Sequence, residues 1–204
     1  MRSDGYRLPS FWIGLALCLL GSTLSVPPVR VLIEQSMTWH MVVQMPILFA
    51  GGWYLAGRGV GGAMMRPLGN WNQFGLTGFI AAQLIVAYWM LPLAIDRAVV
   101  LPLADLFKLM SLAASGALLH MSVRRSPRVL QLFFVGYAVS MLISTGVFLA
   151  TTDRRLCNAY SIDSQLNAGA GVAALGIIFG IAWAFQIYRD TLKGPSRTTE
   201  NTAR

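Results

Sequence analysis

The stretch Val129–Ala150 reads VLQLFFVGYAVSMLISTGVFLA and contains no charged side chain. At about 1.5 Å per residue, a helix of this length spans the roughly 30 Å hydrocarbon core of a bilayer. The rest of the chain has the same character, because 55% of its 204 residues are hydrophobic and only 12% are charged. A soluble domain carries about 25% charged residues, so a soluble fold is excluded. The sequence predicts an all-α, polytopic membrane protein.

Apolar runs bounded by charge, proline or glycine predict a bundle of six transmembrane helices. The predicted spans are Pro9–Val26, Met37–Ala56, Phe74–Ile95, Leu103–Met121, Val129–Ala150 and Gln165–Tyr188. We expect the first span to be retained rather than cleaved as a signal peptide, because no Ala-x-Ala signal follows it. Residues 1–190 are predicted to form one six-helix domain, and residues 191–204 a basic cytoplasmic tail.

Prolines and small residues predict how these helices bend and pack. Pro46 and Pro92 lie within spans, and each removes a backbone donor, so both helices should kink. Small residues at or near four-residue spacing predict contact seams in the last two spans. The seam residues are Gly136, Ser140 and Ser144 in the fifth span and Gly169, Ala173, Gly176 and Gly180 in the sixth.

The basic residues predict the orientation of the bundle. Eleven of the 16 Lys and Arg residues fall on the side that holds both termini, four fall on the other side, and Lys108 lies inside a span. Cytoplasmic loops carry the excess of Lys and Arg, so both termini are predicted to be cytoplasmic, an N-in/C-in arrangement. We therefore expect a multi-pass protein of the bacterial inner membrane whose basic side meets lipid head groups and no nucleic acid.

One face of the second predicted span gathers side chains that can bind a metal. Met37, His40, Met41, Gln44 and Leu48 fall within about 100° of one helix face, with Glu34 and Met45 at its margin. Thioether sulfur is a soft ligand and imidazole is a borderline one, a mixture that suits copper, especially Cu(I). We expect a copper site facing the periplasm, with Met37, His40, Met41 and Met45 as ligands. In the alternative interpretation the methionines fill gaps between helices and His40 donates to a backbone carbonyl.

The fourth predicted span places Asp105 and Lys108 three residues apart on one face. Ionisable groups inside a membrane are costly unless they are paired or face a polar cavity. They form either an ion pair within the helix or a polar wall opposite His40, which lies at a similar predicted depth. We expect Glu34, Gln44, Asp105 and Lys108 to line a polar pocket beside the metal ligands.

Cys157 lies in the polar periplasmic segment 153–165, whereas Cys18 is predicted near the middle of the first span, so no disulfide is expected. Cys157 is either a further copper ligand or redox partner above His40, or a thiol buried in a folded cap. Haem is not expected, because His120 lies about 26 Å down the fourth span and His40 about 5 Å below the same membrane face. No recognisable catalytic motif is present in the sequence, and we expect no enzymatic activity.

The segment HMVVQMPIL from His40 to Leu48, followed by Gly51, Gly52 and Trp53, resembles the histidine-methionine transmembrane segment of CtaG-type cytochrome c oxidase assembly proteins. In that family a His-Met pair, with a second histidine four residues on, precedes an apolar run containing proline. His40 and Met41 match this pattern, whereas Gln44 stands where the second histidine would be. The resemblance covers a short part of the chain. It implies a multi-helix inner-membrane factor implicated in supplying copper to haem-copper oxidases.

Three functions are consistent with these observations. The first is a copper-handling or oxidase-assembly protein whose partner is a haem-copper oxidase or another copper enzyme. The second is a non-catalytic accessory subunit of a larger respiratory or copper-enzyme complex, in which the His and Met side chains only pack. The third is a small transporter that uses Asp105 and Lys108.

Overall fold

The computed structural model describes residues 8–26, 36–57, 72, 74–156 and 160–192. The regular structure in these residues is entirely helical, which confirms the all-α class. In chain order the helices are α1 (Leu8–Thr23), a π-helical turn (Trp39–Gln44), α2 (Met45–Ala56), α3 (Leu76–Trp89), α4 (Pro92–Val100), α5 (Pro102–Arg125), α6 (Arg128–Thr151) and α7 (Ile162–Leu192). Glu34, Cys157 and the tail from residue 193 onward lie outside the described residues.

Three of the described helices are long and apolar enough to cross a membrane. They are α5, α6 and the part of α7 from Ile162 to Arg189. A fourth candidate span is obtained when α3 and α4, which are bent by 72° against each other, are counted as one. Helix α1 is apolar but shorter. The described part of the chain therefore has three or four candidate spans, whereas the sequence predicts six.

At Pro92, in the third predicted span, the helix breaks, whereas the sequence predicts only a kink. The residue before Pro92, Leu91, has extended backbone angles (φ −73°, ψ 128°), so α3 stops and a new helix begins at the proline. Pro102 has the same effect, since Leu101 is also extended (φ −109°, ψ 116°) where α4 passes into α5. The kink predicted at Pro92 is thus a break between two helices, and α4 runs in a different direction from α3.

Helices α2 and α5 approach each other closely at the centre of the bundle, with α1 packed on α2 and α3 packed on α5. The contact requires glycine on both helices. A Cβ on Gly52 would collide with the carbonyl of Ala113, and a Cβ on Gly116 would collide with the carbonyl of Phe49. Small residues of this kind let helix backbones pack tightly inside a membrane, where apolar side chains gain little by leaving lipid.

Helices α6 and α7 form an antiparallel hairpin whose seam differs from the predicted one on the α6 side. The seam predicted at Gly136, Ser140 and Ser144 is wrong, because all three residues are exposed. Instead, a Cβ on Gly146 would lie 2.5 Å from the backbone nitrogen of Ala173. The α7 seam is confirmed, since Gly169, Gly176 and Gly180 all lie against α6. Because α6 is apolar on every side, its sequence does not show which face packs.

We predict that Gly52→Ala destabilises the protein by about 1–3 kcal/mol or more, because the added methyl group forces α2 away from α5. Gly136→Ala is the matched control, since an added Cβ there has nothing within 4 Å. Thermal unfolding of the purified protein in detergent measures both. Equal melting temperatures for the two variants would contradict the close contact between α2 and α5.

Candidate functional site

The segment that resembles the CtaG-type proteins adopts a π-helical turn, Trp39–Gln44. The π-helix is rare, occurs mostly as a single turn within α-helical structure, and is frequent at functional sites. At the end of this turn the backbone N–H of Met45 donates to the carbonyl of His40, five residues earlier. The turn therefore rotates His40 and Met41 relative to the straight α-helix that the sequence predicts.

Pro46 explains where the π-helical turn ends. The next donor in an i to i+5 series after Met45 would be residue 46, and proline has no N–H. The π pattern thus stops at Met45, and ordinary α-helix α2 continues with Pro46 in its first turn, where a missing N–H costs little. Pro46 accordingly produces a change of helix type here, where the sequence predicts a kink.

The predicted stripe is buried along its whole length. Met37, His40, Met41, Gln44, Met45 and Leu48 are each at most 4% exposed, whereas Trp39 is 57% exposed. The structure divides this stripe between two environments. The polar members, His40 and Gln44, face Lys108 of α5, while Met41 and Met45 line an apolar cavity. Met37 packs in the hydrophobic core, and its backbone N–H donates to Ser164 Oγ.

Lys108 lies at the centre of the polar cluster. Its Nζ atom is 2.5 Å from Asp105 Oδ1, 3.4 Å from His40 Nε2 and 3.5 Å from Gln44 Oε1. A lysine ammonium has three N–H donors, and each of these atoms can accept one of them. Both members of the ion pair are buried. A charge pair this far from water is tolerated because its partners replace the lost hydration.

Gln44 connects this cluster to helix α1. Its Nε2 donates to the carbonyl of Gly21 at 3.0 Å and to Ser25 Oγ at 2.8 Å. The Ser25 hydroxyl donates in turn to Asp105 Oδ1 at 3.4 Å. The hydrogen bonds therefore run from α1 through the π-helical turn to α5 and back. Sequence reasoning missed Ser25, which lies two residues beyond the end of α1.

The contact between Lys108 and His40 joins Nζ to the ring nitrogen Nε2. When the ammonium donates to Nε2, that nitrogen carries no proton, and the proton of a neutral imidazole is then on Nδ1. Nε2 is then the nitrogen with a lone pair available to a metal ion. A metal ion bound at Nε2 would use the same lone pair that accepts the Lys108 N–H, so the metal ion and Lys108 compete for it.

The other predicted site residues are placed as follows. Glu34 and Cys157 lie outside the described residues. Within the residues that are described, no group of three or more His, Cys, Asp and Glu side chains is close enough to hold a metal ion. A copper site here would therefore depend on the methionine thioethers together with His40.

His120 belongs to a different part of the bundle. Its ring packs edge-on against Trp53, with the ring centroids 4.9 Å apart. Lys108, which contacts His40, is twelve residues before His120 on α5, a separation of about 18 Å along the helix axis. His120, which is on α5, and His40, which contacts Lys108 of α5, therefore lie near opposite ends of this helix.

No protein-family model, curated protein or solved structure matches the chain.

We predict that Asp105→Asn destabilises the fold by about 3–5 kcal/mol, because it leaves the Lys108 ammonium buried without its carboxylate. The double variant Asp105→Leu with Lys108→Met removes both charges and should recover most of that loss. Denaturant unfolding in detergent micelles measures the difference, with the exposed Arg154→Gln as a control. A double variant less stable than Asp105→Asn would contradict the pairing.

Proposed function

We propose that this chain handles Cu(I) as cargo, as an assembly factor for a haem-copper oxidase or another membrane copper enzyme. The observation that carries the proposal is the burial of His40 and Met41 in the π-helical turn, within the segment that resembles the CtaG-type proteins, with the buried Met37 just before the turn. Thioether and imidazole groups in an apolar setting favour Cu(I) over zinc, which prefers thiolate, imidazole and carboxylate.

Lys108 gives this site the properties of a transfer site. Its ammonium lies against His40 Nε2, so a copper ion at that nitrogen must displace it and then meets a nearby positive charge. Such a site binds copper less tightly than an open His/Met set would. Retention that is weaker than in an open set, but still tight enough to keep copper through purification, suits a protein that passes the ion on to a client.

We propose the following arrangement in the bacterial inner membrane. Besides the three long helices and the bent pair α3–α4, the short apolar helix α1 and the run from Trp39 to Ala56 supply the fifth and sixth crossings. Both termini then lie on the cytoplasmic side, together with Arg124, Arg125 and Arg128 between α5 and α6. His40 lies toward the periplasmic end, where copper can enter without crossing the bilayer.

A non-catalytic accessory subunit is the second candidate, and one observation favours it. Both polar atoms of the Gln44 amide, Nε2 and Oε1, have partners inside the chain, and Lys108 Nζ lies near three acceptor atoms. A network satisfied in this way can join three helices without any ligand. In that case the methionines of the stripe only fill space between helices.

Copper content of the purified protein tests the proposal. Cells supplied with copper should yield protein with stoichiometric copper, which the double variant His40→Ala with Met41→Ala loses. Met110→Ala is the matched control, because Met110 on α5 is 66% exposed, whereas the methionines of the stripe are buried. Asp105→Leu with Lys108→Leu should hold copper more tightly against a Cu(I) chelator, since the competing ammonium is gone and no new thioether is introduced.

Two results would contradict copper handling. The first is an absence of copper from the unsubstituted protein, and the second is equal copper in the unsubstituted protein and the His40→Ala, Met41→Ala variant. A fixed set of other membrane subunits that co-purifies without copper would support the accessory role.

A further inference from the structure

A cavity of about 270 Å³ lies between α3, α5, α6 and α7, beside the start of α2. Of the described residues that line it, only Gln83 is polar, and its Nε2 donates to the carbonyl of Phe134 at 2.6 Å. Four methionines contribute to the wall, namely Met41, Met45, Met90 and Met141. Flexible thioether side chains adapt to apolar ligands of varied shape. The cavity is suited to hydrocarbon.

The cavity lies at the depth of the membrane interior. On α6 its lining runs from Phe134 to Leu142, about 12 Å along the axis and well inside the candidate span Arg128–Thr151. On α7 its lining runs from Val172 to Phe179, again in the middle of a span. Water is absent at this depth, so lipid chains are what surrounds the partly open side of the cavity.

The α6–α7 hairpin forms one wall of the cavity, and α3, α5 and the residues around the π-helical turn form the other. Helices α3 and α6 touch where Phe79 stacks on Phe134, with the ring centroids 4.7 Å apart. The cavity continues past this contact as far as Met90 and Met141. A chain that enters there would touch both the α6–α7 hairpin and the methionines beside the π-helical turn.

The charge at one end of the bundle indicates which lipid fits. Arg124, Arg125 and Arg128 are exposed together where α5 turns into α6. From Arg128 to Ala138 is about 15 Å along α6, which equals one leaflet of a hydrocarbon core roughly 30 Å thick. The other end of α6 is less basic, because Asp153 with Arg154 and Arg155 gives a net charge of +1, against +3 for the three arginines. Basic clusters at the ends of membrane helices attract anionic head groups.

We propose that this protein binds an anionic phospholipid, with its phosphate at Arg124, Arg125 and Arg128 and the end of one acyl chain in the cavity between α3 and α6. The head group supplies the charge that the arginines attract, and the chain reaches the cavity from the same leaflet. The bound chain fills the space between the α6–α7 hairpin and the rest of the bundle. The cavity shares Met41 and Met45 with the proposed copper ligands, but lipid binding there does not depend on copper.

Photo-crosslinking of the full chain in phosphatidylcholine nanodiscs tests the site. A small fraction of phosphatidylglycerol with a diazirine near the end of one acyl chain is the probe, and the same diazirine chain on phosphatidylcholine is the comparison. Crosslinks mapped by peptide mass spectrometry should fall on the cavity residues Met90, Ala138 and Met141, and should be several-fold more abundant for phosphatidylglycerol. Binding should weaken by about fivefold for each of the three arginines replaced by glutamine, while Arg154→Gln leaves it unchanged.

Variants at one small lining residue test whether the chain enters the cavity. Ala138→Phe should remove the crosslinks on Met90 and Met141. If the phenylalanine variant does not fold, Ala138→Leu takes its place and should reduce the same crosslinks. Ala182→Phe, at an exposed position on α7, should leave them in place. The proposal is overturned by crosslinks spread evenly over lipid-facing residues such as Phe133 and Ile178, or by equal labelling with the two phospholipids. Mapping on the unsubstituted chain decides this even if no variant folds.

Discussion

The ion pair between Lys108 and Asp105 is the interaction on which the rest of the structure depends. An isolated charge in the interior of an apolar bundle costs several kcal/mol, so each member of the pair requires the other and further polar partners. Those partners come from separate parts of the chain, since Ser25 lies in the turn after α1 and His40 and Gln44 are on the π-helical turn. The need to satisfy this pair therefore fixes how three helices meet.

Apolar surfaces alone do not set the register of helices in a membrane, because lipid chains are as apolar as leucine. The polar network supplies register at one end of α5, and the close glycine contacts of Gly52 and Gly116 supply it farther along the same helix. The α6–α7 hairpin is joined to the rest of the bundle by the hydrogen bonds from Gln83 Nε2 to the Phe134 carbonyl and from the Met37 N–H to Ser164 Oγ, and the apolar cavity lies beside it. The cavity leaves room for a lipid chain where apolar side chains line the space between these helices.

The sequence was sufficient for the fold class and for the burial of the Met37–Leu48 face, because both follow from apolar periodicity. It also placed His40, Gln44, Asp105 and Lys108 at one depth, and the structure brings these four together. The π-helical turn was not predicted, since a pattern based on 100° per residue cannot show an inserted i to i+5 turn. Nor could it show that His40 and Met41 face different surroundings, or that α6 packs through Gly146 rather than Gly136. Copper binding stays a prediction.

The most direct test of the central interaction is solid-state NMR of the full chain in lipid bilayers, with ¹⁵N in lysine and ¹³C in aspartate and histidine. Because Lys108 and Lys193 are the two lysines of the chain, Nζ signals are readily assigned. The structure predicts strong through-space transfer from Lys108 Nζ to Asp105 Cγ and to the His40 ring carbons. A Lys108 Nζ signal that correlates with water and with neither side chain would contradict the account.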